Sequence, residues 1–276
     1  MPAPEAIAGF YSRYFTHDAI PATAKSREAG RLAWRERISA SLRWPFERLG
    51  ARAWAVRAGL RLLLPRTAQT IARSYAFLTP AAAGRSALDY GCGNGDLVRR
   101  MTAIGVRARG TDFDGMALAA CRRAGLDVLE IDDCPSLPAQ SLDLLTCMNV
   151  IEHVPDPDAT LTWFRQVLHP QGSLLIETPN ADAWLARALG PGWRGLEVPR
   201  HLNVFTLEGL HELLHRNGFE VVRSQFVPAA GFMAAASRTT PRKRRWLRMA
   251  SPLIDLAGWG RPARREVLFL EARPRA

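Results

Sequence analysis

SALDYGCGNGD, residues 86–96, is the stretch from which the rest of the chain can be read. Ala87, Leu88 and Tyr90 suit a short buried strand with Asp89 at its carboxyl end. Gly91, Gly93 and Gly95 then alternate through a turn, and Leu97 to Met101 begin a helical period. Glycine at every second position lets the backbone take positive φ and lets a ligand approach with no Cβ in the way. The helix behind the turn points unpaired amide N–H groups at whatever lies over it. Strand, glycine turn and helix in this order make a nucleotide-type pocket at the carboxyl edge of a parallel sheet. The spacing is D-x-G-x-G-x-G, which differs from the dinucleotide fingerprint G-x-G-x-x-G.

Downstream of this turn, strand and helix signals alternate. A second strand over 105–111 ends at Asp112, and 116–124 reads as a helix. A short third strand over 128–131 is followed by Asp132, Asp133 and Cys134, and a fourth covers 142–148. A helix over 159–168 is stopped by Pro170 and Gly172, before a fifth strand over 173–178. A helix over 206–217 is stopped by Gly218, a sixth strand covers 219–227 and a seventh 266–271. This alternation calls for an α/β fold, a Rossmann-like doubly wound seven-stranded sheet. Upstream, apolar residues recur at helical spacing with arginines between them, punctuated by Pro45 and Pro65. Residues 1–84 are therefore expected to form an N-terminal helical cap, and 85–276 the catalytic-looking domain. Residues 229–265 form a basic insertion before the last strand. Its PRKRRWLRM run fits either an amphipathic interfacial helix or a helix packed on the cap with its arginines solvated.

Composition bounds the function classes. At 276 residues and 47% hydrophobic, the chain can bury a sizeable core. It holds no apolar run long enough to span a bilayer, and its first residues lack the pattern of a secretory signal, so a cytoplasmic protein is expected. Cys92, Cys121, Cys134 and Cys147 form no C-x-x-C pair and read as reduced thiols, neither a zinc site nor a disulfide framework. The net charge of +11 is uneven: residues 1–84 carry +8, residues 238–276 carry +8, and residues 85–237 carry −5. The basicity thus lies in the flanks. It fits an anionic partner or simply solvated arginine-rich helix faces, since Lys25 and Lys243 are the only lysines.

With the strand order laid out, residues 85–227 resemble the class I S-adenosylmethionine-dependent methyltransferases at several separately placed motifs in the right order. The resemblance implies S-adenosyl-L-methionine as cofactor and a last strand that runs antiparallel. It implies that Asp89 and the turn Gly91-Cys92-Gly93 hold the methionine part. Asp112 would accept hydrogen bonds from both ribose hydroxyls, the logic that places an acid beyond the glycine turn in dinucleotide folds. Asp133 and Cys134 would sit by the adenine. Asn149-Val150-Ile151-Glu152-His153-Val154 is similar to the E-H-V segment that lies under the cofactor and faces the acceptor. This places Asn149 on the cofactor side, Glu152 beside the acceptor, and His153 as a candidate general base. Quinone-ring O-methyltransferases carry a further acid three residues before this glutamate and bind magnesium there. Asn149 stands at that position, so no metal is expected. Thr178-Pro179-Asn180 and Pro199-Arg200-His201-Leu202 resemble segments of many bacterial members. The loop between them, with Trp184, Trp193, Arg194 and Arg200, is expected to roof the acceptor pocket, with His201 as a second candidate base and Arg200 facing an anionic group.

The sequence therefore reads as an S-adenosylmethionine-dependent methyltransferase acting on a hydroxyl of a small-molecule, lipid-linked or glycan acceptor. Peripheral membrane contact through the basic flanks is compatible with it, and nucleic acid is the less favoured partner. The alternatives are an RNA methyltransferase using those flanks, or a non-catalytic protein that keeps the fold. No [DN]-P-P-[FYW] segment follows the fourth strand, which disfavours methylation of adenine nitrogen.

Overall fold

The computed structural model describes residues 82–227, 229–257 and 262–275. The helical cap expected over 1–84 lies almost wholly outside them. Strand β1 (Ser86–Tyr90) leads through the glycine turn into helix α1 (Asp96–Ala103), then β2 (Arg107–Asp112), α2 (Gly115–Arg123) and β3 (Val128–Glu130). Strand β4 (Leu142–Met148), helix α3 (Pro157–Val167), strand β5 (Leu168–Pro179) and the short helix α4 (Trp184–Leu189) follow. Helix α5 (Leu207–Arg216) and β6 (Phe219–Val227) precede α6 (Ala230–Ala236), α7 (Pro241–Ala257) and β7 (Val267–Pro274).

The seven strands form one sheet in the order β3-β2-β1-β4-β5-β7-β6. Neighbours from β3 through β5 pair in parallel, and β7 runs antiparallel to both β5 and β6. This is the doubly wound sheet with an antiparallel last strand that the sequence called for. Strand order reverses between β1 and β4, so their carboxyl ends flank the crevice where such sheets bind ligands.

The central strands β1, β4, β5 and β7 bury apolar residues on both faces. Leu88, Leu145, Cys147, Leu174, Ile176, Leu268 and Leu270 face one cluster with Phe164 and Phe219. Their alternates Ala87, Leu144, Leu175 and Phe269 face another with Val98, Met101 and Leu118. Local chemistry fixes the helix starts. Asp114 accepts from the Met116 amide at α2, Asp156 from the Ala159 amide at α3, and Thr206 from the Gly209 amide at α5.

The largest boundary difference from the sequence reading is at β5. Strand β5 begins at Leu168 rather than 173, because Leu168 pairs with Leu142 before the register shifts to Leu144 and Ser173. Pro170 and Gly172, read as helix-stopping residues, are carried within this strand, across the register irregularity. Within the insertion, Ala230–Ala236 and Pro241–Ala257 are helical, as α6 and α7. Both pack through Ala230, Met233, Ala234 and Leu247 on a third cluster with Leu185 and Trp193.

Candidate active site

The glycine turn is pinned to the end of β2. The Gly91 and Cys92 amides both donate to the Thr111 carbonyl, at 2.8 and 2.9 Å. Gly91 takes φ +80°, and a Cβ there would run into the side chain of Val150 on the neighbouring wall. Gly91→Ala is therefore expected to cost about 1–2 kcal/mol in backbone strain alone, and to shift Val150. Calorimetric titration should show weaker cofactor binding with the melting temperature lowered by a few degrees. The cysteine in the turn has a packing reason: Cys92 lies over Gly110 of β2, where a Cβ would meet its Sγ at 2.7 Å.

Asp112 closes the turn from the other side. Its Oδ2 accepts from the Gly93 amide at 2.8 Å and its Oδ1 from the Asp114 amide at 3.0 Å. These two amides hold the carboxylate in one orientation. Asp112, Gly91 and Gly93 line one end of a cavity of about 940 Å³, with Tyr90, Phe113 and Ile131 beside them. That volume lies in the range of small-molecule and cofactor sites.

The other end is built by two segments far apart in sequence. After β4, Asn149 takes φ +56°, a conformation Asn tolerates better than most residues. Its amide donates to the Glu177 carbonyl at 2.7 Å and its Nδ2 to Glu177 Oε1 at 2.9 Å. An aspartate here would set two carboxylates side by side. The turn Ile151–His153 follows. The Glu152 carbonyl accepts from the Leu202 and Asn203 amides, and Asn203 Nδ2 donates to the Val154 carbonyl. These bonds zip the loop around residues 197–203 onto the E-H-V turn. As a result His153 and His201 meet edge to face, ring centroids 4.6 Å apart.

The two imidazoles share a tautomer. His153 Nδ1 lies 3.0 Å from the Arg200 carbonyl, and His201 Nδ1 lies 2.7 Å from the Gly195 carbonyl. A carbonyl only accepts, so each Nδ1 carries a proton, and His201 Nε2 lies 3.4 Å from Glu197 Oε2. Burial holds both rings far below the usual histidine range, at about 4, and each cation is further disfavoured by its neighbours: His201 beside His153, and Arg194 and Arg200 beside His201. Both are neutral at pH 7. Glu152, 2% exposed, accepts from the Thr178 hydroxyl at 2.9 Å, and burial pushes its carboxyl up to about 8. Glu197, also buried, holds Arg194 at 2.8 Å and pairs with Arg200.

These shifts give the cofactor-free protein a pH signature. Burial raises Asp89 and Glu266 to about 7 and Glu152 to about 8. A carboxyl raised in the folded state keeps its proton when the unfolded chain has lost it, so its stabilising effect disappears as pH rises through the folded value. The two lowered histidines act oppositely, but only between about 4 and the ordinary 6.5. Above 6.5 the two histidines no longer offset the acids. The melting temperature is expected to fall from pH 6.5 to 8, and Glu152→Gln should flatten that fall.

Not every residue singled out in the sequence reaches the cavity. Gly91, Gly93, Asp112, Asn149, Glu152, His153 and His201 line it. Asp89 is 3% exposed and off the wall, its Oδ1 accepting from Thr146 at 2.7 Å. Asp133 lies exposed on the 3₁₀ turn Ile131–Ser136, while Cys134 turns inward and donates its thiol to Thr111. Trp193 is buried with Leu185 and Met233 beneath the roof, and Arg200 is tied to Glu197. Arg194, also expected in the roof and at the start of the 3₁₀ turn Arg194–Leu196, does line the cavity, with Glu197. Phe113 and Ile131, which follow strand-end positions, were findable from the sequence by that placement. Phe232 and Met233 were not, because nothing in their run announces a cavity wall. Glu152, His153 and His201 each offer one ligand atom, all within 4.8 Å of one another, a grouping that one divalent cation could use. The asparagine argument did not anticipate this set, because His201 comes from a distant loop.

A family model described as methyltransferase domain matches residues 64–224. The chain belongs to that family. Its cofactor is S-adenosylmethionine, and the site fits it: an oriented carboxylate at the end of β2 faces a glycine turn with no room for a Cβ. This methyltransferase-domain protein is 34% identical over 128 residues to a ubiquinone biosynthesis O-methyltransferase of Aromatoleum aromaticum, covering 43% of the chain and 55% of the relative. It is 32% identical over 133 residues to the protein of that name from Methylococcus capsulatus, covering 45% and 56%. The chain thus spans little more than half the length of these curated relatives. Among solved structures, an S-adenosylmethionine-dependent methyltransferase from Archaeoglobus fulgidus superposes with a TM-score of 0.51 at 20% identity, covering 80% of this chain and 93% of that one. One from Mesorhizobium loti gives 0.52 at 21% identity, covering 74% and 97%. These two support the fold.

Proposed function

We propose that the protein transfers the methyl group of S-adenosylmethionine to a hydroxyl oxygen of a small, largely apolar acceptor. The observation that carries this reading is the cavity lining: two neutral imidazoles, His153 and His201, share it with the apolar side chains of Val227, Phe232, Met233 and Val267. The names of the relatives, O-methyltransferases of ubiquinone biosynthesis, agree with an oxygen acceptor.

Asp112 would hold the ribose and the Gly91–Gly93 turn the methionine part. When bound, the cofactor supplies an already electrophilic methyl group, so the protein's tasks are alignment, exclusion of water and management of one proton. His153, on the turn that follows β4 at the crevice, takes the acceptor's hydroxyl proton on Nε2 as its oxygen becomes the nucleophile. His201 packs edge-on against it and fixes its ring. The buried walls keep bulk water from competing.

Methyl-labelled cofactor offered with a panel of phenols and aliphatic alcohols tests this, with product identified by mass. An aryl or alkyl methyl ether is expected. Label appearing only on amine acceptors would overturn the oxygen assignment. His153→Ala is expected to lower kcat by about 10²–10³-fold with cofactor affinity unchanged. Because its ring titrates at about 4, the wild-type rate should show no inflection near 6.5. An unchanged rate in His153→Ala would remove it as the base.

A further inference from the structure

Helix α7 carries two apolar faces. One is spent inward: Leu247 and Ser251 are buried, Ile254 packs beside them, and Asp255 accepts from the Ala230 amide at the start of α6. The other is exposed. Trp246, Met249 and Leu253, spaced three and four apart on one side of the helix, are 60, 71 and 68% exposed. Large apolar residues stacked in this way on a surface mark an interaction site. Beside that stripe lie Arg242, Lys243, Arg244, Arg245 and Arg248, with no acid in the helix before Asp255. Phe232 of α6, the helix packed against α7, is 60% exposed and also lines the cavity, so exposed apolar surface of this helix pair reaches the cavity.

The chemistry narrows the occupant. A nucleic acid would use the arginines but gain little from three aligned apolar side chains. A second copy would bring two clusters of five cations together. The N-terminal flank, with its own +8, is repelled for the same reason. An anionic bilayer satisfies both features: phosphates take the arginines, and the apolar side chains enter the headgroup boundary. No described helix is long and apolar enough to cross a membrane, so the contact is peripheral.

We infer that α7 seats the protein on an anionic lipid surface, with Trp246, Met249, Leu253 and Phe232 inserted and the cavity mouth turned toward the bilayer. The inference concerns where the molecule sits and does not depend on which atom it methylates.

Flotation of the full chain with vesicles of phosphatidylcholine, alone or mixed with phosphatidylglycerol, tests it. The protein is expected to float with the mixed vesicles and not with phosphatidylcholine alone, less so as salt rises. Arg245→Gln with Arg248→Gln should weaken partitioning roughly 25-fold, about fivefold per charge. Trp246→Gln with Leu253→Gln should abolish it, and Trp246→Phe should remove most of the fluorescence quenching by brominated lipid. All these side chains are exposed, and unchanged melting would show the variants folded. Wild-type protein that stays down with mixed vesicles would overturn the inference. So would either double variant floating like wild type. Tight RNA binding without vesicle binding would assign the arginines to nucleic acid. A concentration-dependent dimer lost in Trp246→Gln/Leu253→Gln, again without vesicle binding, would assign the patch to a second copy.

Discussion

Asp112→Ala is expected to bind S-adenosylhomocysteine about 100-fold more weakly than wild type, from roughly 3 kcal/mol of lost hydrogen bonding to a charged acceptor. The carboxylate is buried, lines the cavity and is oriented by the Gly93 and Asp114 amides. It is the group best placed to accept two hydroxyls of a ribose. Removing it also frees the Gly93 amide, so the glycine turn loses one of its ties to β2. Asp112→Asn separates the two effects. It keeps the side chain's size and one acceptor oxygen, and should retain an intermediate affinity with near wild-type melting. Titration calorimetry on both variants, with thermal melts alongside, checks this. Wild-type affinity in Asp112→Ala would move the ribose elsewhere.

Glu197→Ala should have the largest effect on the acceptor side. One buried carboxylate holds Arg194, pairs with Arg200 and lies 3.4 Å from His201 Nε2, while its carbonyl accepts from the Arg200 and His201 amides. Removing one member of a buried ion pair leaves the other charges without compensation. Because both guanidinium groups are partly exposed, water offsets some of that cost, and about 2 kcal/mol remains. That corresponds to a fall in melting temperature of roughly 5 °C for a domain of this size. The loop that carries His201 and supplies the Arg200 carbonyl to His153 loosens as well. The expected kinetic signature is a fall in kcat and a rise in the acceptor KM, with cofactor affinity little changed. Glu197→Gln should recover part of both. Equal losses of cofactor and acceptor binding would show only general unfolding.

The sheet was legible because its evidence is local. Strands β1, β4, β5 and β7 hold apolar runs buried on both faces, while β2 and β6 alternate exposed and buried positions, and both patterns read directly from the residues. The cofactor end was legible for the same reason: Gly91, Gly93 and Asp112 are close in the sequence or sit at strand ends. Asp89 and Tyr90 show the limit of that reading. They are neighbours on one strand, yet Tyr90 lines the cavity and Asp89 is bonded to Thr146 within the sheet. Which neighbour faces the ligand depends on the phase of the pleat, and the motif does not state it. The acceptor end was legible only in parts. His153 and His201 were each visible as candidates, but their meeting depends on backbone bonds from Glu152 to Leu202 and Asn203, which no spacing rule contains. Arg194 and Arg200 are alike in sequence. Only the fold distinguishes the one on the wall from the one whose carbonyl orients His153. The helical insertion was legible as basic and amphipathic, but that Phe232 and Met233 of α6 line the cavity was not.

A crystal structure with S-adenosylhomocysteine bound would test the arrangement most directly. The ribose hydroxyls are expected on the Asp112 carboxylate, the amino acid part over the Gly91–Gly93 turn, and the sulfur directed toward His153 and His201. A nucleoside bound along the Val227 and Phe232 wall, with Asp112 untouched, would contradict it.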